Sequence, residues 1–534
     1  LKDSFTQQEL MGFVWGIIGL SSLMWLIRMA SRLWLFGVGR KVEFQLRQRL
    51  FEHLLTLPPS YFAEHAAGEI ISIVTNDVEN VRRLLGFAIL SLINTLFAYA
   101  FTLPAMLIIN WRLSLLAILA YPLMFIIVQA FSGRLRDEQL KVQEELSEVS
   151  TLLQEDLNGM ALIKTYAQEE YERKIFAQLN DRLLTANLQM AKTRNFLFPL
   201  LGGIASISFL ILLWFGGEEL AKGNTNFQLG DLLSLIIYIE RLIFPTALLG
   251  FVLTTYQRGQ VSIDRIEQIL AIPAAVVDQP DALAIDIKTI RGSVTAQNLT
   301  FTYPDSNQPA LCGVNFHILA GETVAIIGAV GSGKSTLANA LMRLIDVSPG
   351  MLFIDGLDIT KWRLSDLRRV VSYVPQDSFL FSDTIANNIR YGKPTAPLAE
   401  VEFYAEQAHI KSEILNFPQQ YETIVGERGI TLSGGQRQRT AVARALLVDA
   451  PILLLDDALA SVDNKTAKAI LASLPRDKTV IFISHNLSVA ANADRILLMD
   501  KGRIVAEGSH SELLATSTLY QQLWQQHQLV EMLH

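Results

Sequence analysis

The residues most clearly suited to chemistry lie at 328–336. Gly328-Ala329-Val330-Gly331-Ser332-Gly333-Lys334-Ser335, followed by Thr336, fits the pattern G-x-x-x-x-G-K-[ST]. Glycines let a backbone wrap closely around phosphate, and N–H groups at the start of a helix then point at it. In such a loop Lys334 reaches the β- and γ-phosphates, and the Ser335 hydroxyl can ligate Mg²⁺. The apolar run Thr323-Val324-Ala325-Ile326-Ile327 just before it reads as a buried strand, the context this loop needs.

Two more apolar runs end in polar side chains. Ile452-Leu453-Leu454-Leu455 leads to Asp456-Asp457, and Thr479-Val480-Ile481-Phe482-Ile483 leads to Ser484-His485. Parallel strands buried on both faces read as continuous apolar runs. Ligands in such sheets sit at the carboxyl ends of the strands. Asp456 is thereby placed to hold Mg²⁺ through water, and His485 to hydrogen-bond a terminal phosphate. Either pattern alone fits a capping aspartate or a packed histidine equally well. Ser433-Gly434-Gly435-Gln436, after Leu432, would open a helix with a hydroxyl and two glycines, which suits an anion and equally suits an ordinary cap.

The elements that carry these residues fall into two halves. The chain has 534 residues, 50% of them hydrophobic and only 18% charged, against about 25% charged in soluble domains. Its 32 glycines exclude collagen, and a single cysteine, Cys312, excludes a disulfide scaffold. A net charge of -7 argues against nucleic acid as a partner. Apolar blocks at 10–27, 84–109, 113–131, 196–215 and 232–253 are long enough to span a bilayer, which takes ~20 residues. They lack the polar face that soluble helices of that length show. Charged amphipathic stretches at 32–57 and 134–194 extend the helices into water. Arg28, Arg32, Arg40 and Lys41 place those arms on the cytoplasmic side. Five spans leave Leu1 outside, an odd number that suggests a first helix missing at the N-terminal end.

The expected organisation is an all-α membrane domain over 1–270, a linker over 271–290, and an α/β P-loop NTPase domain over 291–534. Two interruptions of the cytoplasmic arms, 68–80 and 158–166, read either as plain turns or as short helices that dock on the soluble half. Glu240 and Arg241 sit inside the last span. Ionisable residues at bilayer depth mark a pathway or an interface with another subunit. Neighbours on a helix point ~100° apart, so the two need not pair together.

The full set of motifs resembles the ATP-binding-cassette exporters, along nearly the whole chain. Leu432-Ser433-Gly434-Gly435-Gln436 matches that family's LSGGQ signature. By resemblance, Tyr303 stacks on adenine and Gln376 contacts Mg²⁺. Asp463, in Ser461-Val462-Asp463, signals across a dimer, and Val425-Gly426-Glu427-Arg428-Gly429 is similar to the exporter cross-talk loop. The resemblance implies an exporter-type membrane domain, with 68–80 and 158–166 as its coupling helices. It also implies ATP and Mg²⁺ as cofactors and a bacterial inner membrane location with the ATPase domain in the cytoplasm. Cargo would be drug-like, lipid or peptide. Family cassettes pair head to tail, so that ATP lies between 328–335 of one and 433–436 of the other. This chain is then one half of a transporter and needs a second half.

One position departs from the pattern. The family's general base, after the Mg²⁺ aspartate, is a glutamate, and here it is Asp457. Aspartate is one methylene shorter, and a base placed about 1 Å wrong can lose on the order of 10²-fold in rate. The same aspartate marks the weakened subunit of many heterodimeric exporters. The expectation is a heterodimer whose partner carries glutamate at the matching position. A regulatory half with little hydrolysis of its own, and an importer built on the exporter fold, are the alternatives.

Overall fold

The structure is a computed structural model and describes residues 7–119, 121–222, 227–304, 306–426 and 429–533. The chain divides into two compact units, Leu1–Leu55 with His65–Ile272, and Thr56–Glu64 with Pro273–His534.

The first unit is helical. It contains α1 (Gln7–Leu54) and, beyond the short α2 (Pro59–Glu64), α3 (Ala67–Ser72) and α4 (Val78–Arg83). α5 (Ile89–Ile118), α6 (Tyr121–Asn158), α7 (Met160–Thr165), α8 (Glu169–Ala221) and α9 (Leu229–Leu270) follow. Helices spanning Met11–Leu54, Ala67–Asn158, Glu169–Ala221 and Leu229–Leu270 are long and apolar enough to cross a membrane. Ala67–Asn158 carries two of the five predicted blocks. They part at Asn110, whose extended backbone (φ -158°, ψ 104°) breaks the helix. Asn110 caps the next turn by accepting from the Leu113 N–H at 3.1 Å.

Side chains from α5, α6, α8 and α9 form one core, including Met106, Leu113, Met124, Leu197, Leu212, Leu235 and Ile239. The apolar stretch of α1 is instead left uncovered within the chain, with Trp15, Ile17 and Trp25 largely exposed. Apolar surface on that scale requires a non-aqueous surrounding. Pro245 sits inside α9 without ending it, as membrane helices allow.

One of the two interruptions differs from expectation. Residues 68–80 form neither a plain turn nor one isolated short helix. They run as α3, a π-helical turn (Ile73–Asp77) and the start of α4, packed on α9 within the first unit. Asp77 Oδ1 accepts from the Ser262 hydroxyl at 2.7 Å, Asp77 Oδ2 lies 3.1 Å from Arg265, and Asn80 donates to Ser262 at 3.1 Å. Buried Glu43 of α1 ties the same region down, 3.4 Å from Arg82. The short isolated helix is α2, which belongs with the second unit. The chain breaks at Pro58-Pro59, where a missing N–H and a restricted preceding residue stop α1. Gly68 is merely the second residue of α3. The other interruption is the short helix α7, set off by Gly159 and by Ala167 at φ +50°.

The second unit is a layered α/β structure. An antiparallel sheet, order β2-β1-β4-β5, is built from β1 (Val294–Phe301), β2 (Leu311–Ile318), β4 (Leu352–Ile354) and β5 (Leu357–Asp358). The larger sheet has the order β10-β9-β3-β8-β7-β6. Its strands are β3 (Thr323–Gly328), β6 (Val371–Val374), β7 (Ile452–Asp456), β8 (Thr479–Ile483), β9 (Arg495–Asp500) and β10 (Arg503–Gly508). All pairings in it are parallel except β9–β10.

The continuous apolar runs are explained by burial on both faces. Ala325, Ile327, Leu453, Leu455, Val480 and Phe482 face one core, while Val324, Ile326, Leu454, Ile481 and Ile483 face the other. Helices α10 (Lys334–Leu341) and α11 (Leu364–Val370) supply Leu337 and Leu367 to the second core. The first core takes side chains from α12 (Ile385–Arg390), α13 (Leu398–Gln407), α14 (Lys411–Leu415), α15 (Gly434–Leu447) and α16 (Asn464–Ser473). It is completed by α17 (Leu487–Ala490), α18 (His510–Thr516) and α19 (Thr518–Leu533), through Leu487, Leu513 and Tyr520.

Candidate nucleotide-binding site

The parallel register delivers the predicted side chains to one edge. β3, β7 and β8 lie side by side, with Asp456 opposite Ile483. Their carboxyl ends open on a cavity of about 300 Å³. It is lined by Val330, Gly331, Ser332, Gly333, Lys334, Ser335, Thr336, Gln376, Asp456, Asp457 and His485, together with Ala310 and Ile483.

The loop shape depends on glycine at Gly333. Its φ is +99°, and a Cβ there would stand 2.5 Å from the Ala310 carbonyl oxygen. That residue is the left-handed cap from which α10 starts. Lys334, the first residue of the helix, turns back over the loop. Its Nζ donates to the carbonyls of Gly328 at 2.9 Å and Ala329 at 2.8 Å. Burial pulls its ammonium below the ordinary lysine range, while Asp457 and Asp456 push the other way. The result is one buried cation at the first turn of α10, and a helix start with a cation is suited to phosphate.

Asp456 is nearly buried. Burial raises its carboxyl above the usual range, opposed by hydrogen bonds from Ser335 and Tyr373. Both contacts are long, at 3.4 Å. Ser335 Oγ and Asp456 Oδ1 thus face each other as loosely held oxygens, with Gln376 on the same cavity. A hard divalent cation takes such oxygens, completing its shell with water and phosphate. These residues fit Mg²⁺.

Asp457 begins the turn after β7 with φ +48°, held by its N–H to the Ile483 carbonyl at 3.0 Å. That backbone bond sets Asp457 beside the strand that ends next to His485. Tyr303 stands against Phe301, ring edge to face at 5.0 Å, with its hydroxyl 3.2 Å from Thr336 Oγ1.

Ser433, Gly434, Gly435 and Gln436 lie elsewhere. None of them lines the cavity. Ser433 is the N-cap of α15, and its Oγ accepts from the Gln436 N–H while Gln436 Oε1 accepts from the Ser433 N–H. That serine is thus an ordinary helix cap. The glycines have a separate reason. A Cβ on Gly435 would stand 2.9 Å from the Ser461 carbonyl oxygen, and one on Gly434 3.3 Å from Ser461 Cβ. The Ser461 N–H also donates to Gln438 Oε1 at 2.8 Å. The start of α15 is thus seated on the loop that ends at Asp463, which caps α16 by accepting from the Thr466 N–H at 2.9 Å.

That seating makes a prediction. In Gly435→Ala the clash falls on backbone, which cannot swing aside. ATP turnover should drop about tenfold or more, as displacement of catalytic groups by a fraction of an ångström allows. Affinity for nucleotide at the cavity should hold. Gly434→Ala should be milder. Equilibrium nucleotide binding measured beside turnover checks this.

Sequence reasoning missed Tyr373, Ala310 and Glu413. Tyr373 and Ala310 come from strand and loop neighbours with no motif of their own. Glu413 braces Gln436 at 2.8 Å and Arg439 at 2.7 Å, and nothing in its local sequence signals that. In the loop 425–429, Glu427 and Arg428 lie outside the described residues. Glu240 and Arg241 are both exposed on α9, between Ile239 and Leu242, which are buried. Neither makes an ion pair among the described residues.

Comparison with known proteins agrees with this geometry. Residues 2–246 match a family model described as ABC transporter transmembrane region, and residues 311–460 match one described as ABC transporter. A probable multidrug resistance ABC transporter ATP-binding/permease protein, YheI of Bacillus subtilis (strain 168), is 32% identical over 98% of this chain and 90% of its own length. An ATP-dependent lipid A-core flippase of Aromatoleum aromaticum is 37% identical over 90% of this chain and 79% of its own. A bacterial Atm1-family ABC exporter solved with ATP bound superposes with a TM-score of 0.73 at 30% identity, covering 92% of this chain and 86% of that one. The chain accordingly belongs to the ABC exporters: it is an integral membrane protein whose ATP-binding, ATP-hydrolysing domain is coupled to transport.

Proposed function

We propose that this chain is one half of a two-cassette exporter that moves amphipathic, drug-like or lipid cargo outward across a bacterial inner membrane, with the ATPase domain in the cytoplasm. The observation that carries this is the separation of Lys334 and its cavity from 433–436 within one chain. Each segment offers half of an anion site, and a second cassette placed head to tail would complete both. The relatives whose names record multidrug export and lipid A-core flipping support the outward direction and the cargo class.

Lys334 and the loop N–H groups bind and orient phosphate. Ser335, Asp456 and Gln376 would hold Mg²⁺, which neutralises phosphate charge when bound. Asp457 takes the proton of the attacking water, and His485 donates a hydrogen bond to the phosphate oxygen. Tyr303 offers its ring to the base. Asp463 lies on the loop that carries the state of one cassette to the other. The short Asp457 slows hydrolysis at this chain's own loop, so the partner is a different chain with glutamate there. Glu240 and Arg241 face the pathway or the partner.

The direct test is ATP-driven flux in inside-out membrane vesicles holding the assembled transporter. A lipophilic fluorescent cation or a labelled lipid should accumulate inside only with external ATP. Movement in the opposite sense, or flux indifferent to ATP, would overturn the exporter reading.

A further inference from the structure

The His485 turn is tied to the last helix of the chain. Asn486 is the hub. Its Oδ1 accepts from the Ser488 and Val489 N–H groups at 3.0 and 3.3 Å, capping α17, and from the Ser488 hydroxyl at 2.8 Å. Those backbone donors fix which end of the amide is oxygen. His527 of α19, whose Nε2 lies 3.1 Å from the same oxygen, must therefore carry its proton on Nε2. The amide nitrogen of Asn486 is left facing the other way, where it donates to Asn464 Oδ1. Asn464 directly follows Asp463 and opens α16. The turn itself is closed by the Asn486 N–H to Ser484 Oγ at 3.0 Å.

α19 is firmly seated. Tyr520 is fully buried in the core, and Leu523 and Trp524 pack against that core, as do Leu459 and Val462 of the 457–463 loop. Trp524 stacks on His527 with an interplanar angle of 15°. So a rigid helix braces, through one imidazole and one amide, both the residue after His485 and the residue after Asp463.

We propose that α19 is part of the hydrolytic apparatus. His527 and Asn486 are positioning residues that keep His485 aimed into the phosphate cavity and lock that turn to the Asp463 loop. Loss of the His527 bond uncouples the Asn486 turn from α19 and lets that turn, with His485, drift, while Lys334 and the phosphate loop stay as they are. The signature is a fall in kcat with KM for ATP unmoved.

The experiment uses the full chain in its membrane assembly, with His527→Leu and His527→Gln compared. Each is made with Asp457 and with Asp457→Glu, so the outcome does not depend on how fast the native site runs. His527→Leu should lower kcat about tenfold, within the range that small misplacement of a catalytic group produces, with KM unchanged. His527→Gln keeps an N–H donor of similar reach and should restore most of the rate. If His527→Leu disturbs folding, Asn464→Ala removes the Asn486 tie to α16 and should likewise lower kcat with KM unchanged. An unchanged kcat, a matching rise in KM, or failure of glutamine to rescue would each overturn the proposal.

Discussion

Lys334→Ala should leave the protein folded and membrane-inserted but reduce ATP turnover by about 10²–10³-fold, the loss typical when one preorganised electrostatic group is removed. Its ammonium is the buried positive charge at the centre of the loop, and it also pins the Gly328 and Ala329 carbonyls at 2.9 and 2.8 Å. Alanine removes both the charge and that clamp. The neighbouring carboxylates Asp456 and Asp457 are then left without a counter-charge, so the cavity turns hostile to phosphate. Affinity for ATP should fall together with rate. Lys334→Arg should not rescue, because a planar guanidinium cannot make the same compact three-donor contact. Titration with labelled nucleotide and steady-state phosphate release are the measurements. Turnover within tenfold of the native protein would show that the loop does not bind phosphate through Lys334.

Asp457→Glu should have the opposite effect, raising hydrolysis at this chain's own site by up to about 10²-fold if one methylene is what the base lacks. The structure sets two opposing terms. The added reach brings the carboxylate toward the cavity beyond Asp456. The backbone at this position, however, has φ +48° and is held by the Ile483 carbonyl. Aspartate tolerates the left-handed region better than glutamate, whose residence there costs roughly 1–2 kcal/mol. The variant should therefore be faster and slightly less heat-stable. Measured in the assembled transporter, the gain should appear as more ADP and less intact ATP retained on this chain after turnover. An unchanged rate with an unchanged retained nucleotide would mean that the turn already delivers Asp457 close enough, and the partner would then not need to differ.

The nucleotide site was legible because its parts are local. A phosphate loop needs a strand, a glycine-bearing turn and a helix start within a dozen residues, and 323–336 spells out all three. Asp456 and His485 were legible for a related reason, since each ends an apolar run and parallel strands place their carboxyl ends together. The break in the chain after α1 lies earlier than the sequence reading put it, because two breakers lie close together. Gly68 stays helical in α3 while the chain breaks at Pro58-Pro59, since glycine is tolerated in a helix at a cost of ~1 kcal/mol, whereas proline removes a bond and clashes. Gly435 was legible as a glycine but not for its reason, which is the approach of the Ser461 carbonyl.

The order of residues alone thus determined which segments are apolar enough for a membrane and where a strand, a glycine-rich turn and a helix start follow one another as a candidate phosphate loop. Those are properties of neighbours along the chain. Tertiary structure alone decided that Tyr373 and Ser335 share Asp456, that α15 rests on the Asp463 loop, and that His527 reaches the turn beside His485. Such contacts join residues tens to hundreds of positions apart. They exist only once packing has brought helices and strands from separate regions against a common core, and no local spacing rule encodes that choice.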